Sequence, residues 1–189
     1  MKKSRIIAVR SVTETALCAA LIAVCAMISI PFPVPFTLQL FGVYFALFYL
    51  GARRGLIAVL LYIAIGALGL PVFSGFSGGV GRLFDATGGY ILGFLLIALV
   101  FLVFEHLPRF RFSAAVASAV ALFAFYALGS VWYSTFYTDG GLEAYLVSLL
   151  LTVAPFLLPD AVKIVLAYAL SERLLRIFRK KAANLQKKD

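Results

Sequence analysis

Residues 88–104, GGYILGFLLIALVFLVF, contain no charged side chain, and the first charge after them is Glu105. A helix rises about 1.5 Å per residue, so about 20 apolar residues cross the roughly 30 Å hydrocarbon core of a bilayer. No water is present there to satisfy exposed backbone groups, which favours a helix over an irregular segment. The stretch therefore predicts a transmembrane helix over 88–105.

The composition of the whole chain agrees with this prediction. Of 189 residues, 63% are hydrophobic and 13% are charged, whereas soluble domains carry about 25% charged residues. Five more apolar runs are bounded by charges or helix-breaking residues, at about 12–30, 35–52, 55–70, 113–132 and 157–175. We therefore expect a single all-α membrane domain over 1–189 with six transmembrane helices.

The basic residues indicate the orientation of these helices. Of the 17 Lys and Arg, 15 lie in the N-terminal segment, at 53–54, at 109–111 and after residue 172, which form one alternate set of connections. The positive-inside rule then predicts that both termini are cytoplasmic and that the number of spans is even. The apolar segment 142–154 is too short to cross, so we expect an interfacial or re-entrant helix there. The net charge of +9 follows from this topology and does not indicate nucleic-acid binding.

The least expected residues for a membrane span are Asp160 and Lys163, which follow Pro159 at the start of the last apolar run. A spacing of three places both charges on one face of a helix. Such charges are costly in lipid and usually mark a substrate or ion site. A carboxylate beside an ammonium can bind a neutral group that has both N–H and C=O, such as an amide or urea. The alternative is a structural ion pair.

A glycine-rich stretch, GLPVFSGFSGGVGR, occupies residues 69–82 between the third and fourth runs. Glycines allow backbone N–H groups to converge on an anion, and Arg82 can supply a countercharge for a carboxylate. The stretch thus predicts an anion-binding loop. The alternative is a tight turn in which Arg82 pairs with Asp85.

Two weaker patterns remain. Thr37 and Gln39 are polar residues at the start of the predicted second span, where they indicate either a binding site or hydrogen bonding between helices. Ala16 and Ala20 form part of a strip of small residues on the first span, which permits close approach of another helix, either internal or from a partner protein.

Catalytic motifs are absent from the sequence. The one histidine, His106, lies in a predicted cytoplasmic loop, and no HExxH, GxSxG or paired-cysteine motif occurs. We therefore expect no enzyme activity, no metal and no cofactor. A Walker A motif is also absent, so ATP-driven transport would require a partner.

Four stretches carry a family resemblance: PVPFTLQ at 33–39, GLPVFSGFSGG at 69–79, TGGYILGF at 87–94 and PFLLPDAVK at 155–163. In order and spacing they resemble BioY, the biotin-specific S component of energy-coupling-factor (ECF) transporters. The resemblance implies six helices in a bacterial cell membrane that capture biotin with high affinity. It also implies, as partners, a transmembrane T component and two ATP-binding-cassette ATPase subunits.

The resemblance further implies roles for individual residues. Asp160 and Lys163 would bind the ureido ring of biotin, and Tyr90 with the loop around Ser77, Gly78 and Gly79 would enclose its other end. Phe36, Phe73 and Tyr90 would cover the apolar middle of the ligand. On the first helix, Ala16 and Ala20 match the Ala-x-x-x-Ala patch with which S components meet the T component.

The chain also departs from the family pattern. Many relatives read GPTGGY where this chain has DATGGY at 85–90, and some have a basic residue where Ile91 stands. Arg82 is thus our candidate partner for the biotin carboxylate. Three other hypotheses remain open at this point: an S component for a different vitamin, a biotin transporter that needs no ATPase, and a small lipid-modifying enzyme.

Overall fold

The structure is a computed structural model, and it describes residues 2–32, 34–107, 113–137 and 141–186. Pro33 of the first motif, the basic residues Arg109 and Arg111, and the final residues 187–189 lie outside the described residues.

Helices make up most of the described chain. The seven helices of the described residues are α1 (Lys2–Met27), α2 (Gln39–Leu50), α3 (Ala52–Ala67), α4 (Gly88–His106), α5 (Ser113–Tyr137), α6 (Gly141–Thr152) and α7 (Leu157–Gln186). Two short strands, β1 (Ser29–Ile30) and β2 (Phe36–Thr37), pair antiparallel between α1 and α2. A single 3-10 turn, Val80–Leu83, interrupts the long loop before α4.

The membrane character of the fold rests on long apolar helices. Among the described residues, α4, most of α5 and the segment Val9–Met27 of α1 are long and apolar enough to cross a bilayer. A bent pair made of α6 and most of α7 gives a fourth candidate if it counts as one span. The mostly helical fold is confirmed, whereas the count of six spans stays a prediction.

Several helix ends differ from the predicted span boundaries. The first span was expected to run to residue 30, but α1 ends at Met27 because the chain turns into β1. The second was expected over 35–52, but residues 36–37 pair in β2, so α2 starts at Gln39 and has only 12 residues. At the other end of the chain, α5 and α7 continue beyond the predicted 132 and 175 to Tyr137 and Gln186.

The predicted short helix before the last span is present as α6. It is bent by 54° from α7 at the break between Thr152 and Leu157. Pro155 and Pro159 lie in or just after this break, where proline, which lacks an N–H, interrupts helical hydrogen bonding. The bend ends α6 and begins α7 within one turn of the buried Asp160.

Packing places α2 at the centre of the fold, against α1, α3 and α7. Tyr44 of α2 is fully buried, and its hydroxyl donates to the carbonyl oxygen of Ser118 on α5 at 2.9 Å. The helices α4 and α5 pack together along their length, and α3 packs against α4. This arrangement leaves a cavity between α2, α4, α5 and α7, close to the hairpin and the long loop.

Candidate functional site

The cavity holds most of the side chains that the sequence predicted for a binding site. The space between its walls is about 690 Å³ when its open mouth is included. Eight of the ten predicted binding residues line it: Thr37, Gln39, Phe73, Ser77, Arg82, Tyr90, Asp160 and Lys163.

Asp160 and Lys163 form a buried ion pair on the cavity wall. Their side chains are 8% and 7% exposed, and Lys163 Nζ lies 2.6 Å from Asp160 Oδ1. Buried charges are costly unless they are paired and hydrogen-bonded. The second carboxylate oxygen, Oδ2, accepts a hydrogen bond from the Tyr126 hydroxyl at 2.6 Å. Both oxygens of Asp160 therefore have a donor before any ligand binds.

The start of α7 explains the position of this pair. Leu157 begins the helix, so Asp160 lies in its first turn, where the helix dipole favours a negative charge. Pro159 suits the same turn because its missing N–H has no intrahelical partner there. Lys163 follows one turn later on the same face.

Lys163 also connects α7 to the hairpin. Its Nζ donates to the carbonyl oxygen of Thr37 at 2.8 Å and lies 3.8 Å from the ring centroid of Phe36, a cation–π contact. The Phe36 ring in turn stacks on Phe156, with ring centroids 5.6 Å apart. The hairpin thereby places an aromatic surface next to the ion pair.

Two further polar pairs line the cavity. Gln39 Nε2 donates to the Tyr62 hydroxyl at 2.7 Å, and both residues are buried. The Tyr90 hydroxyl donates to Thr152 Oγ1 at 2.6 Å, which links α4 to the end of α6. The predicted place of Thr37 was wrong in one respect: it lies in β2, not in a helix, and its Oγ1 accepts the N–H of Gln39 at 3.3 Å.

Phe73 closes the cavity from the long loop. It is 2% exposed, its ring packs edge-on against Tyr62 at 5.6 Å, and a Cβ on Gly66 would clash with that ring. The absence of a side chain at Gly66 thus lets the loop insert Phe73 against α3. Aromatic rings of Phe73, Phe94, Phe125 and Tyr90 form much of the apolar wall.

Arg82 lines the cavity and is held by two neighbours. Its Nε donates to Ser77 Oγ at 2.9 Å, and its Nη1 forms a salt bridge with Asp85. The Arg82 side chain is 36% exposed. The pairing with Asp85 that the sequence left as an alternative is present, and it occurs while Arg82 lines the cavity.

Gly78 and Gly79 do not line the cavity, within the part of the chain that the structure describes. A Cβ on Gly78 would clash with the carbonyl of Leu70, and the N–H of Gly79 donates to the carbonyl oxygen of Gly66 at 2.7 Å. Gly79 also has φ of +96°, a conformation that favours glycine. Both residues therefore shape the loop and pack it on the end of α3.

Sequence reasoning missed several lining residues, among them Tyr62, Tyr126, Thr152 and Phe156. The signal for the tyrosines was available, because a buried tyrosine hydroxyl usually has a hydrogen-bond partner. The identity of that partner was not available, since Tyr126 and Asp160 are 34 residues apart.

Ala16 and Ala20 are exposed on the outside of α1, whereas Ala19 and Ala26 are buried against the core. The strip is therefore accessible to another helix. Among the described residues, no three His, Cys, Asp or Glu side chains lie close enough together to hold a metal ion.

Comparison with known proteins gives a consistent result. The family model described as "BioY family" matches residues 1–180. The chain is 37% identical to the probable biotin transporter BioY of Pyrococcus horikoshii over 166 residues, which are 87% of this chain and 96% of that one. It is 40% identical to the biotin transporter BioY of Thermotoga maritima over 170 residues, 89% of this chain and 97% of the relative.

The fold also matches a solved structure. The S-component for biotin from an ECF-type ABC transporter superimposes with a TM-score of 0.77 at 25% identity, covering 89% of this chain and 92% of that one.

Proposed function

The chain belongs to the BioY family, and from that premise we propose that it is an S component that captures biotin for uptake by an ECF-type ABC transporter. The names of its relatives and the solved structure of a biotin S-component support this function. The single observation in the structure that carries the proposal is the buried Asp160–Lys163 pair on the wall of an aromatic-lined cavity.

The chemistry of the pair fits the ureido ring of biotin. The urea has two N–H donors and one strong acceptor, which match a carboxylate and an ammonium side by side. Because the urea is neutral, it leaves the balance of the buried charges unchanged. Phe36 and Phe156 supply apolar surface beside the pair, where the fused rings of the ligand would lie.

The opposite end of biotin is a valerate carboxylate, and the guanidinium of Arg82, which contacts Ser77 Oγ and Asp85, provides the matching donor. Tyr90 and Phe73 would flank the aliphatic chain between the two polar ends. Gly78 and Gly79 would act indirectly by shaping the loop that carries Ser77 and Arg82.

Topology and partners form part of the same proposal. Six spans with both termini in the cytoplasm of a bacterial cell agree with the distribution of Lys and Arg. The short helices α2 and α3 would then each cross within the bundle, bordered by α1, α4 and α7. A T component would meet α1 at Ala16 and Ala20, and two ATPase subunits would supply the energy.

The experiment that tests the ligand is a calorimetric titration of the purified chain. Biotin should bind tightly, thiamine and riboflavin should give no heat, and Asp160→Asn and Lys163→Ala should each abolish the biotin signal. If another vitamin gives binding heat and biotin gives none, that vitamin is the ligand, and the membership of the BioY family is unaffected. Uptake in cells that lack T component and ATPases would favour a transporter that acts without them.

A further inference from the structure

An apolar groove lies between α5 and α7, and no residue lines both this groove and the cavity described above. Its walls include Ala115, Ser118, Ala119 and Leu122 of α5 and Ile164 and Tyr168 of α7, and we call it the α5–α7 groove. It encloses about 1,010 Å³ including its open side. Ser118 adds no unmet polar group, since its hydroxyl donates to the carbonyl oxygen of Ala114 at 2.8 Å.

A cationic cluster continues the groove along α7. Tyr168 borders both the groove and a second depression, which includes the charged residues Glu172, Arg173, Arg176 and Lys180. Tyr168, Glu172 and Arg176 follow one another at intervals of four, so they lie on one helical face. Arg176 is about 12 Å along the axis from Tyr168.

The charges of this cluster do not cancel. Glu172 Oε2 lies 3.6 Å from Arg176 Nη2, a loose contact in which the Arg176 side chain is 75% exposed. One carboxylate thus faces three cations, Arg173, Arg176 and Lys180, at the end of an apolar groove. The cluster therefore has a net positive charge that complements an anion.

We propose that the α5–α7 groove and this cationic cluster together bind one anionic phospholipid, with an acyl chain in the groove and the phosphate-bearing headgroup at Arg173, Arg176 and Lys180. Along α7 the apolar groove comes first and the cationic cluster follows it. An acyl chain followed by a phosphate has the same order in a phospholipid. Clusters of Lys and Arg just beyond a transmembrane segment attract acidic headgroups for the same reason.

Lipid is favoured over a helix of a partner protein as the occupant. Small residues such as Ala115 and Ala119 would also accept a helix, but that helix would need carboxylates one to two turns beyond its apolar face to match the cations. A phospholipid brings its phosphate at the end of the acyl chain, and the surrounding bilayer supplies it at high concentration.

The test is lipid retention by the full chain in detergent, measured by native mass spectrometry. The stripped protein is incubated with phosphatidylglycerol or with phosphatidylcholine of identical acyl chains. The parent should retain phosphatidylglycerol preferentially. Arg173→Ala should lower that retention roughly 5-fold, and Arg173→Ala with Arg176→Ala roughly 25-fold, since each cation near an acidic lipid contributes about that factor.

The apolar half of the site needs its own variants. Ala119→Phe fills the groove and should lower retention of both lipids, whereas Val120→Phe, at an exposed neighbour outside the groove, should lower neither. Arg53→Ala removes the same charge from an exposed position on α3 and should leave retention unchanged. A melting temperature followed by fluorescence of Trp132 checks that each variant folds.

Three results would overturn the proposal. Equal retention of the two lipids by the parent would remove the role of the headgroup. If Arg53→Ala lowers phosphatidylglycerol retention as much as Arg173→Ala does, the lipid is attracted to the positive charge of the whole protein and not to this cluster. If Ala119→Phe retains lipid normally but prevents association with another protein, the groove is a protein interface.

Discussion

The hydroxyl of Tyr126 donates to Oδ2 of Asp160 at 2.6 Å, while Lys163 Nζ donates to Oδ1 of the same carboxylate at 2.6 Å. Asp160 is thus held from α5 and from its own helix. A carboxylate has about four acceptor positions, so two donors fix its orientation and still leave lone pairs for a ligand. Tyr126 is in this sense a positioning residue for the ureido ring that we propose Asp160 binds.

Tyr126→Phe tests this role because it removes one hydrogen bond and keeps the ring. We expect the Kd for biotin to rise about tenfold, since a hydrogen bond to a charged group is worth about 1.5–3 kcal/mol and Asp160 gains rotational freedom. Calorimetry gives the Kd. The matched control is Tyr44→Phe, whose hydroxyl donates to the Ser118 carbonyl oxygen and which does not line the cavity. Equal losses of affinity in both variants would contradict a positioning role.

Asp160 and Lys163 should depend on each other for stability. Removing one partner leaves a buried unpaired charge, so Asp160→Asn or Lys163→Met should each lower the free energy of unfolding by about 3–5 kcal/mol. The double variant carries neither charge and should recover part of that loss. Melting temperatures in detergent measure the effect. A double variant with the summed loss of the two single variants would argue against direct coupling.

The same three proteins separate stability from binding. None of them should bind biotin, including the double variant, because the ureido ring would lose both its acceptor and its donor. A double variant that recovers stability together with biotin affinity would show that the pair is structural, which is the alternative that the sequence left open.

Gly66→Ala tests the contact that seats Phe73. At an open helical position this substitution stabilises by about 1 kcal/mol, but here the added Cβ would clash with the Phe73 ring. We therefore expect a lower melting temperature and weaker biotin binding as Phe73 is displaced from the cavity. Gly81→Ala is the control, since a Cβ there meets no atom within 4 Å. A higher melting temperature for Gly66→Ala would mean that Phe73 moves without cost.

Arg82 can be tested with a pair of ligands that differ only in charge. Arg82→Ala should weaken binding of biotin, because the carboxylate loses its cationic partner. The loss should be only several-fold, because solvent screens a partly exposed guanidinium. The substitution should leave binding of the uncharged biotin amide unchanged. Calorimetry of both ligands at two salt concentrations measures the difference. Equal affinity of parent and variant for biotin would show that the salt bridge with Asp85 is the main role of Arg82.

Local patterns in the sequence predicted the parts of the site that are close along the chain. Asp160 and Lys163 were identified because a spacing of three fixes their shared face, and α4 was identified because residues 88–104 have no charge. The hairpin was missed, since its two strands have only two residues each and depend on pairing across residues 31–35.

Contacts between distant segments lay beyond this reasoning. Lys163 reaches the Thr37 carbonyl 126 residues away, and Tyr126 meets Asp160 only because α5 packs near the start of α7. Gly78 shows that packing can also change a role predicted from the sequence. The glycine-rich stretch 69–82 predicted a backbone that binds a ligand. At Gly78, however, a Cβ would clash with the Leu70 carbonyl, so glycine is needed there for packing. Spacing fixes a helical face, but only the packed fold shows what that face meets.

The surface of α1 gives the last prediction, which concerns assembly. Ala16 and Ala20 are exposed, so a larger side chain at either position has room in the isolated chain. Ala16→Leu with Ala20→Leu should therefore leave the melting temperature and the biotin Kd unchanged but prevent co-purification with a T component, because bulk blocks close helix approach. Leu17→Phe enlarges an exposed neighbour on a different strip of α1 and should preserve assembly. Normal assembly of the double leucine variant would place the partner interface on another surface of the bundle.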